Sequence, residues 1–140
     1  MQTVVPTLAY EDGLAAIAWL TRAFGFRENE PARFMSNGTV THAELDVGDG
    51  SVVFLASPTP EYESPAHHRE RCEQARRWLD NPWVIDGVTV AITNLDAHAE
   101  HARAAGATIL REPEDVSTVG LRVYTAEDLE GHRWMFTEQL

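Results

Sequence analysis

Apolar and polar positions follow two different periods along this chain, and its first part predicts a strand, a helix and further strands. A β-prone run over residues 3–10 contains Pro6. Because proline has no N–H to donate, we expect this strand at a sheet edge or junction. Residues 14–24 then carry an apolar stripe at helical spacing. Asp12 is the expected N-cap of this helix, and Gly25 is its expected stop.

Three strands are predicted next, over residues 33–36, 39–47 and 51–56. Asn37-Gly38 joins the first two and is a strong hairpin signal. In the middle strand the side chains alternate between two faces, one with Thr41, Ala43, Leu45 and Val47 and the other with His42, Glu44 and Asp46. The first part of the chain therefore has the order βαβββ.

The second part of the chain repeats this order of elements. The pattern predicts a strand over residues 87–94, a helix over 97–105 capped by Asp96 and ended by Gly106, a strand over 108–110, a loop or weak hairpin over 111–120, a strand over 121–124 and a final hairpin.

Two βαβββ modules predict an α+β fold. One module alone leaves one face of its sheet uncovered, so two modules packed together would form a curved mixed sheet around a cleft, with the helices outside. We assign residues 1–56 to the first module and residues 87–140 to the second. Residues 57–86 are assigned to a linker with a charged helix over 66–80, all within one compact domain.

The final hairpin has a specific sequence. Residues 128–131 supply turn chemistry, an aspartate first and a glycine last. In the strand that follows, Trp134 and Phe136 share one face, while Arg133, Met135 and Thr137 share the other.

This stretch, Asp128-Leu129-Glu130-Gly131-His132-Arg133-Trp134, resembles the last hairpin of the vicinal oxygen chelate superfamily. That superfamily includes glyoxalase I, the bleomycin resistance proteins and the extradiol dioxygenases. Leu129 stands where the family usually has proline. Residues 15–26, 41–45 and 96–107 resemble the same superfamily, which implies paired βαβββ modules over nearly the whole chain.

The resemblance also implies four metal-ligand positions on inward-facing strands, which the metalloenzymes fill with His, Gln or Glu. These positions fall at Val5, Phe54, Val88 and Met135, and none of these side chains suits a hard or borderline cation. Moving any position by one residue brings in no histidine or carboxylate. We therefore predict no metal site and no cofactor.

Histidines elsewhere are the remaining candidates for chemistry. His42 and Glu44 lie on one strand face, about 7 Å apart by strand rise, and are candidate catalytic residues as an acid–base pair; the alternative is a solvated strand face. His98 and His101 are three residues apart on a helix and are expected to point outward. His132 is expected to serve the turn, and His67 and His68 lie on the charged helix.

The net charge and the single cysteine limit the binding partners and the cellular compartment that we expect. The formal net charge of −11 argues against nucleic acid, which needs a basic surface, and is compatible with a cationic ligand. Cys72 is the single cysteine, which excludes an internal disulfide and fits a reducing cytoplasm. The N-terminus lacks the features of a signal peptide, and no apolar stretch is long enough to span a membrane. Trp78 and Trp83, large aromatics in a polar insertion, favour a homodimer.

The predicted cleft is apolar, formed by Val5, Phe54, Val88 and Met135 with polar edges from Thr7, Arg133 and Arg122. Such a trough suits a small, partly aromatic organic molecule. The resemblance then implies a metal-free binding protein, similar to the bleomycin resistance proteins that sequester a drug. The alternative is a lyase, isomerase or dioxygenase of the same superfamily. It would be either metal-dependent with unusual ligands or an acid–base enzyme using His42 and Glu44.

Overall fold

The computed structural model describes residues 2–83 and 85–140, and within them the fold is α+β. The chain divides into two compact units, Met1–Ser64 and Pro65–Leu140. Each unit has one sheet with a helix packed against it. None of the helices in the described residues has the length and hydropathy that crossing a membrane requires.

The first unit contains a mixed sheet and one long helix. Its elements are β1 (Thr7–Ala9), α1 (Gly13–Phe24), β2 (Arg27–Glu28), a 3-10 turn (Glu30–Ala32), β3 (Phe34–Ser36), β4 (Thr39–Gly48) and β5 (Ser51–Ala56). The strand order is β1-β5-β4-β2, and β3 also pairs with β4. The strand predicted around Pro6 therefore lies at the sheet edge, as expected. The short β2 and β3 together take the place of one predicted strand alongside β4, with the 3-10 turn between them.

Local signals in the first unit act as the sequence predicted. The Asp12 carboxylate accepts the backbone N–H of Ala15 at 3.0 Å, which caps α1. Gly25 ends the helix in the left-handed region with φ of 75°. Asn37 and Gly38 both have positive φ, 50° and 76°, as a two-residue hairpin turn requires.

The core of the first unit lies between α1 and the sheet. Ala43 and Leu45 of β4 are buried on one face, as predicted, but Thr41 is exposed and Val40 is buried instead. The pairing of β3 with β4 shifts register near this point, and such an irregularity reverses the alternation of faces. The prediction that placed Thr41 with Ala43 was therefore wrong.

The second unit has the predicted order of one strand, one helix and three strands, preceded by two short helices. Its elements are α2 (Pro65–Arg71), α3 (Glu73–Leu79), β6 (Gly87–Ala91), α4 (Leu95–Ala104), β7 (Thr108–Val116), β8 (Leu121–Glu127) and β9 (Arg133–Gln139). The sheet order is β6-β9-β8-β7, in which β6 and β9 run parallel. The fully buried rings of Tyr124, Trp134 and Phe136 form the core with α4.

Two predictions about this unit are corrected by the structure, and one open alternative is decided. The single helix expected over 66–80 breaks at Cys72, whose Sγ accepts the N–H of Ala75 at 3.4 Å and caps α3. Cys72 thus has a structural role that the sequence did not indicate. Residues 111–120 form a hairpin, the second of the two alternatives predicted there: residues 111–116 continue β7 along the edge of the sheet, with register shifts on either side of Arg111, and a turn over 117–120 leads to β8. Asp96 does not cap α4; the Glu138 carboxylate does, by accepting the N–H groups of Asn94 and Leu95 at 2.7 and 3.1 Å.

The turn between β8 and β9 is closed by Asp128. Its Oδ1 accepts the N–H groups of Glu130 and His132, both at 3.0 Å, and its Oδ2 accepts the indole N–H of Trp134 at 3.0 Å. The backbone N–H of His132 takes part in the turn, and a structural role for its side chain stays a prediction. One carboxylate therefore fixes the turn and the buried ring beside it.

Gly131→Ala should destabilise the protein more than Gly25→Ala. Both glycines have positive φ, 90° and 75°, so each substitution costs about 1–2 kcal/mol of backbone strain. A Cβ at Gly131 would also lie 2.9 Å from the backbone nitrogen of Ala66, whereas a Cβ at Gly25 meets nothing within 4 Å. Urea denaturation of both variants measures the difference in the free energy of unfolding. Equal losses would show that the backbone at Ala66 can move aside without an energetic cost.

Candidate functional site

The open face of the second sheet carries a row of side chains that includes Thr125 and Met135. Strand pairing sets Arg111 opposite Thr125, Thr125 opposite Met135, and Met135 opposite Thr89. Paired residues share a face, so this row crosses all four strands on the side away from Trp134. A cavity of about 140 Å³ lies over it, lined by Pro82, Trp83, Ile85, Gly87, Thr89, Thr125, Arg133 and Met135.

Met135 and Arg133, both predicted as ligand-binding residues, do line this cavity, but Val88 does not. Val88 pairs with Trp134 across the parallel strands, so its side chain lies on the helix-covered face. The residue on the Met135 side is Thr89. The predicted position on this strand was therefore one residue out of register, and it holds a hydroxyl in place of an isopropyl group.

The hydroxyl of Thr125 is the most unusual polar group of the cavity. Thr125 is only 2% exposed, and its Oγ1 is a buried side-chain atom without a hydrogen-bond partner in the described residues. Buried polar groups in proteins nearly always have a partner. Nothing in the sequence indicated this residue, because its isolation depends on neighbours from β7, β9 and the loop before β6.

Most N–H groups of Arg133 donate to other residues of the protein, and these hydrogen bonds stabilise the wall of the cavity. Its Nε and Nη2 donate to the Glu127 carboxylate at 3.2 and 3.0 Å, and its Nη1 and Nη2 donate to the carbonyls of Asn81 and Leu79. Arg69 of α2 donates to the same carboxylate at 3.2 and 3.3 Å. Within residues 2–83 and 85–140, four of the five N–H groups of Arg133 are thus bonded to the protein, and the fifth could donate to a ligand.

Trp83 also lines the cavity. The guanidinium of Arg111 lies 5.4 Å from the centre of the Trp83 ring and is also paired with Glu114. Trp83 and Trp78 are 56% and 57% exposed in the single chain, so the homodimer inferred from them stays a prediction. Leu79, between them in sequence, is buried.

Arg122, predicted as a polar edge of the cleft, lies elsewhere. It falls on the Tyr124 side of β8 and pairs with Asp96 of α4 at 3.0 Å and with Asp115 at 2.7 Å. Its role is to join the helix to two strands.

The first unit also has an open sheet face, and the predicted residues there lie together. Thr7 pairs with Phe54, and Phe54 pairs with Glu44. His42 contacts this group, with its ring 4.7 Å from that of Phe54. Val5, half-buried and two residues before Thr7, precedes the same strand.

His42 and Glu44 interact directly, as their spacing predicted. His42 Nε2 lies 3.3 Å from Glu44 Oε1, and the Asn29 amide donates to Glu44 Oε2 at 3.2 Å. These hydrogen bonds, the one from His42 first, lower the pKa of the Glu44 carboxyl. Glu44 is therefore suited to orient the imidazole and not to donate a proton.

The outward orientation expected for His98 was wrong. Its Nδ1 lies 2.6 Å from Tyr124 Oη, and its ring lies 4.5 Å from that of Phe136. Burial raises the pKa of the Tyr124 hydroxyl. His101 is exposed on the same helix, so the two imidazoles do not form a metal-binding pair.

The positions that the resemblance implies for metal ligands do not fit a divalent cation. Val5 and Phe54 offer only hydrocarbon, Met135 a thioether, and Thr89, found where Val88 was expected, a neutral hydroxyl. Across residues 2–83 and 85–140, no three His, Cys, Asp or Glu side chains are grouped so that they could hold a metal ion.

Comparison with known proteins gives a consistent result. The model of the Glyoxalase/Bleomycin resistance protein/Dioxygenase superfamily matches residues 3–136. TioX from Micromonospora sp. ML1 is 34% identical, with 99% of this chain and 97% of that chain covered and a TM-score of 0.70. The fosfomycin resistance protein FosX from Listeria monocytogenes is 12% identical, with 100% and 94% covered and a TM-score of 0.64, a likeness of fold alone. No curated protein matches.

Proposed function

The chain belongs to the glyoxalase/bleomycin resistance protein/dioxygenase superfamily, and from that premise we propose that it binds a small, partly aromatic organic molecule without a metal ion. The observation that carries the proposal is the cavity of the second unit. Its volume of about 140 Å³ is close to that of a cavity that holds one benzene ring. Its lining joins apolar groups of Trp83, Ile85 and Met135 to a few polar atoms, as in small-molecule sites generally.

Metal independence is supported by the side chains at the implied ligand positions. None of Val5, Phe54, Thr89 and Met135 offers a charged or strongly donating ligand atom, so a cation bound by any of them would lose its water without compensation. Binding in this protein would then rest on shape, apolar contact and a few hydrogen bonds. Sequestration of a drug-like compound, as in the bleomycin resistance proteins, is the biological form we propose for it.

Metal removal should leave both stability and binding unchanged. A metal present at one hundred times its dissociation constant would stabilise the fold by about 2.7 kcal/mol, which raises the melting temperature by several degrees. We expect no such rise with zinc, nickel or manganese, and no fall with EDTA. A thermal-shift screen of single-ring aromatic compounds, run in EDTA, tests binding in the same format. Stoichiometric metal that survives dialysis, with binding lost in chelator, would contradict the proposal.

An acid–base enzyme is the second candidate, and the contact between His42 and Glu44 is what favours it. An ionised Glu44 beside His42 would hold the imidazole in place as a general base. Phe54 and Phe34, whose rings lie 4.7 and 6.1 Å from that of His42, would contact a substrate. The two candidate functions differ in where the small molecule binds. A substrate at His42 would occupy the open sheet face of the first unit, whereas the binding protein would hold its ligand in the cavity of the second unit.

A further inference from the structure

We infer that the cavity of the second unit selects an aromatic ring bearing an acceptor oxygen, a carbonyl or a carboxylate, and that the Thr125 hydroxyl donates to that oxygen. This inference rests on the proposed function and names the class of ligand. It assigns to Thr125 a role in ligand binding, which does not follow from the fold or from the motif of the final hairpin.

Among the residues that the structure describes, the fold gains no hydrogen bond from the Thr125 hydroxyl. The residue is 2% exposed, and its Oγ1 has no partner in the described residues. A buried hydroxyl without a partner destabilises a protein, because it has lost water and gained nothing in exchange. A ligand oxygen in the cavity that Thr125 lines would provide the missing partner.

The charges around the cavity favour an acceptor over a cation. Arg133 lines the cavity with one N–H that has no partner in the described residues, and none of the described lining residues is a carboxylate. Arg111 pairs with Thr125 across the strands. Thr89 adds a second hydroxyl on the far side of Met135. The cationic ligand that the net charge of −11 allows is therefore not favoured at this place.

The apolar part of the cavity suits a flat ring. Trp83 and Met135 both line it, and the thioether of methionine makes favourable contacts with aromatic rings. The volume of about 140 Å³ accommodates one ring. A larger ligand would place only its ring and acceptor oxygen here.

The test uses three probes of equal size, benzamide, benzoate and benzylamine, titrated into the whole protein in EDTA and followed by NMR. We expect benzamide and benzoate to bind at least tenfold more tightly than benzylamine, which is a cation at neutral pH. Benzamide above benzoate would assign a neutral carbonyl as the natural group, and the reverse order a carboxylate. Tightest binding by benzylamine would overturn the inference while leaving the proposed function intact.

Thr125→Val removes the hydroxyl and keeps the shape of the side chain. Affinity for benzamide and benzoate should fall about tenfold, equal to about 1.4 kcal/mol, while the melting temperature of the free protein stays equal or rises. If Thr125 had only a structural role, its substitution would lower the melting temperature and leave probe affinity unchanged. Thr125→Ser keeps the hydroxyl and should retain binding. This variant tests the role of the hydroxyl if Thr125→Val fails to fold.

Thr137→Val is the matched control. Thr137 is buried on the same face of β9, two residues beyond Met135, and does not line the cavity. Its substitution should leave probe affinity unchanged. Equal affinity of the wild type and Thr125→Val for every bound probe would overturn the inference alone. Failure of all three probes to bind would also overturn it, and the wider screen in EDTA would then decide the proposed function separately.

Discussion

Trp134→Ala should lower the free energy of unfolding by about 3–5 kcal/mol, the loss typical of a large buried aromatic. The Trp134 side chain is fully buried in the core of the second unit. Its indole N–H also satisfies Asp128 Oδ2 at 3.0 Å, so the substitution weakens the turn as well as the core. Met135→Ala, on the opposite face and only half-buried, should cost much less and should chiefly weaken ligand binding.

Urea denaturation of the two variants measures this contrast. Trp134→Phe separates the two parts of the effect, because it keeps most of the ring volume and leaves Asp128 without the indole donor. That loss should cost about 1–3 kcal/mol. Equal destabilisation by Trp134→Ala and Met135→Ala would mean that the two faces of β9 are assigned wrongly.

Glu127→Ala should also destabilise the protein by about 3–5 kcal/mol, because it leaves a buried guanidinium without its counter-charge. The side chains of Glu127 and Arg133 are 5% and 2% exposed, and Arg69 binds the same carboxylate. Arg133 in turn holds the carbonyls of Leu79 and Asn81, just before Trp83. We therefore expect weaker binding of aromatic probes in this variant as well.

Glu112→Ala is the matched control for the buried ion pair. Glu112 pairs with Arg103 at 2.6 Å, but the two side chains are 67% and 42% exposed. An exposed pair contributes at most about 1 kcal/mol. Chemical denaturation at low and high salt compares the variants; similar losses from both substitutions would show that the buried triad adds no special stability.

Features encoded within a few residues were predictable from the sequence. Asp12 before an apolar stripe predicted the cap of α1, and Asn37-Gly38 predicted a hairpin with positive φ. The alternation of Trp134 with Met135 predicted which side chain is buried. In each case the cause of the structure lies in the same short segment as the signal.

Features that depend on distant residues were missed. Glu138 caps α4 from 44 residues away, whereas the prediction chose Asp96 from the local sequence. The Glu127 carboxylate meets Arg69, 58 residues earlier in the chain. The isolation of Thr125 is defined only once β7, β9 and the loop before β6 are in place. Such contacts are set by tertiary packing, which leaves no local pattern.

The register of β6 shows how a small error moves a site residue. The run from Gly87 to Ala91 has small or β-branched side chains at every position, so alternation does not identify its buried face. The prediction chose Val88, whereas the pairing with β9 selects Thr89. A shift of one residue exchanges the two faces of a strand, and here it replaced an apolar contact by a hydroxyl.

The most direct test of metal-free binding in this cavity is a titration of benzamide and benzoate into EDTA-treated protein, observed through the methionine methyl signals. Met135 lines the cavity, while Met35 lies in β3 of the first unit, beside the residue that pairs with His42. We predict a saturable shift of the Met135 methyl signal that is unchanged when zinc or manganese replaces the chelator. A Met135 signal that stays fixed while Met35 shifts, or binding that appears only with metal, would contradict the proposed function.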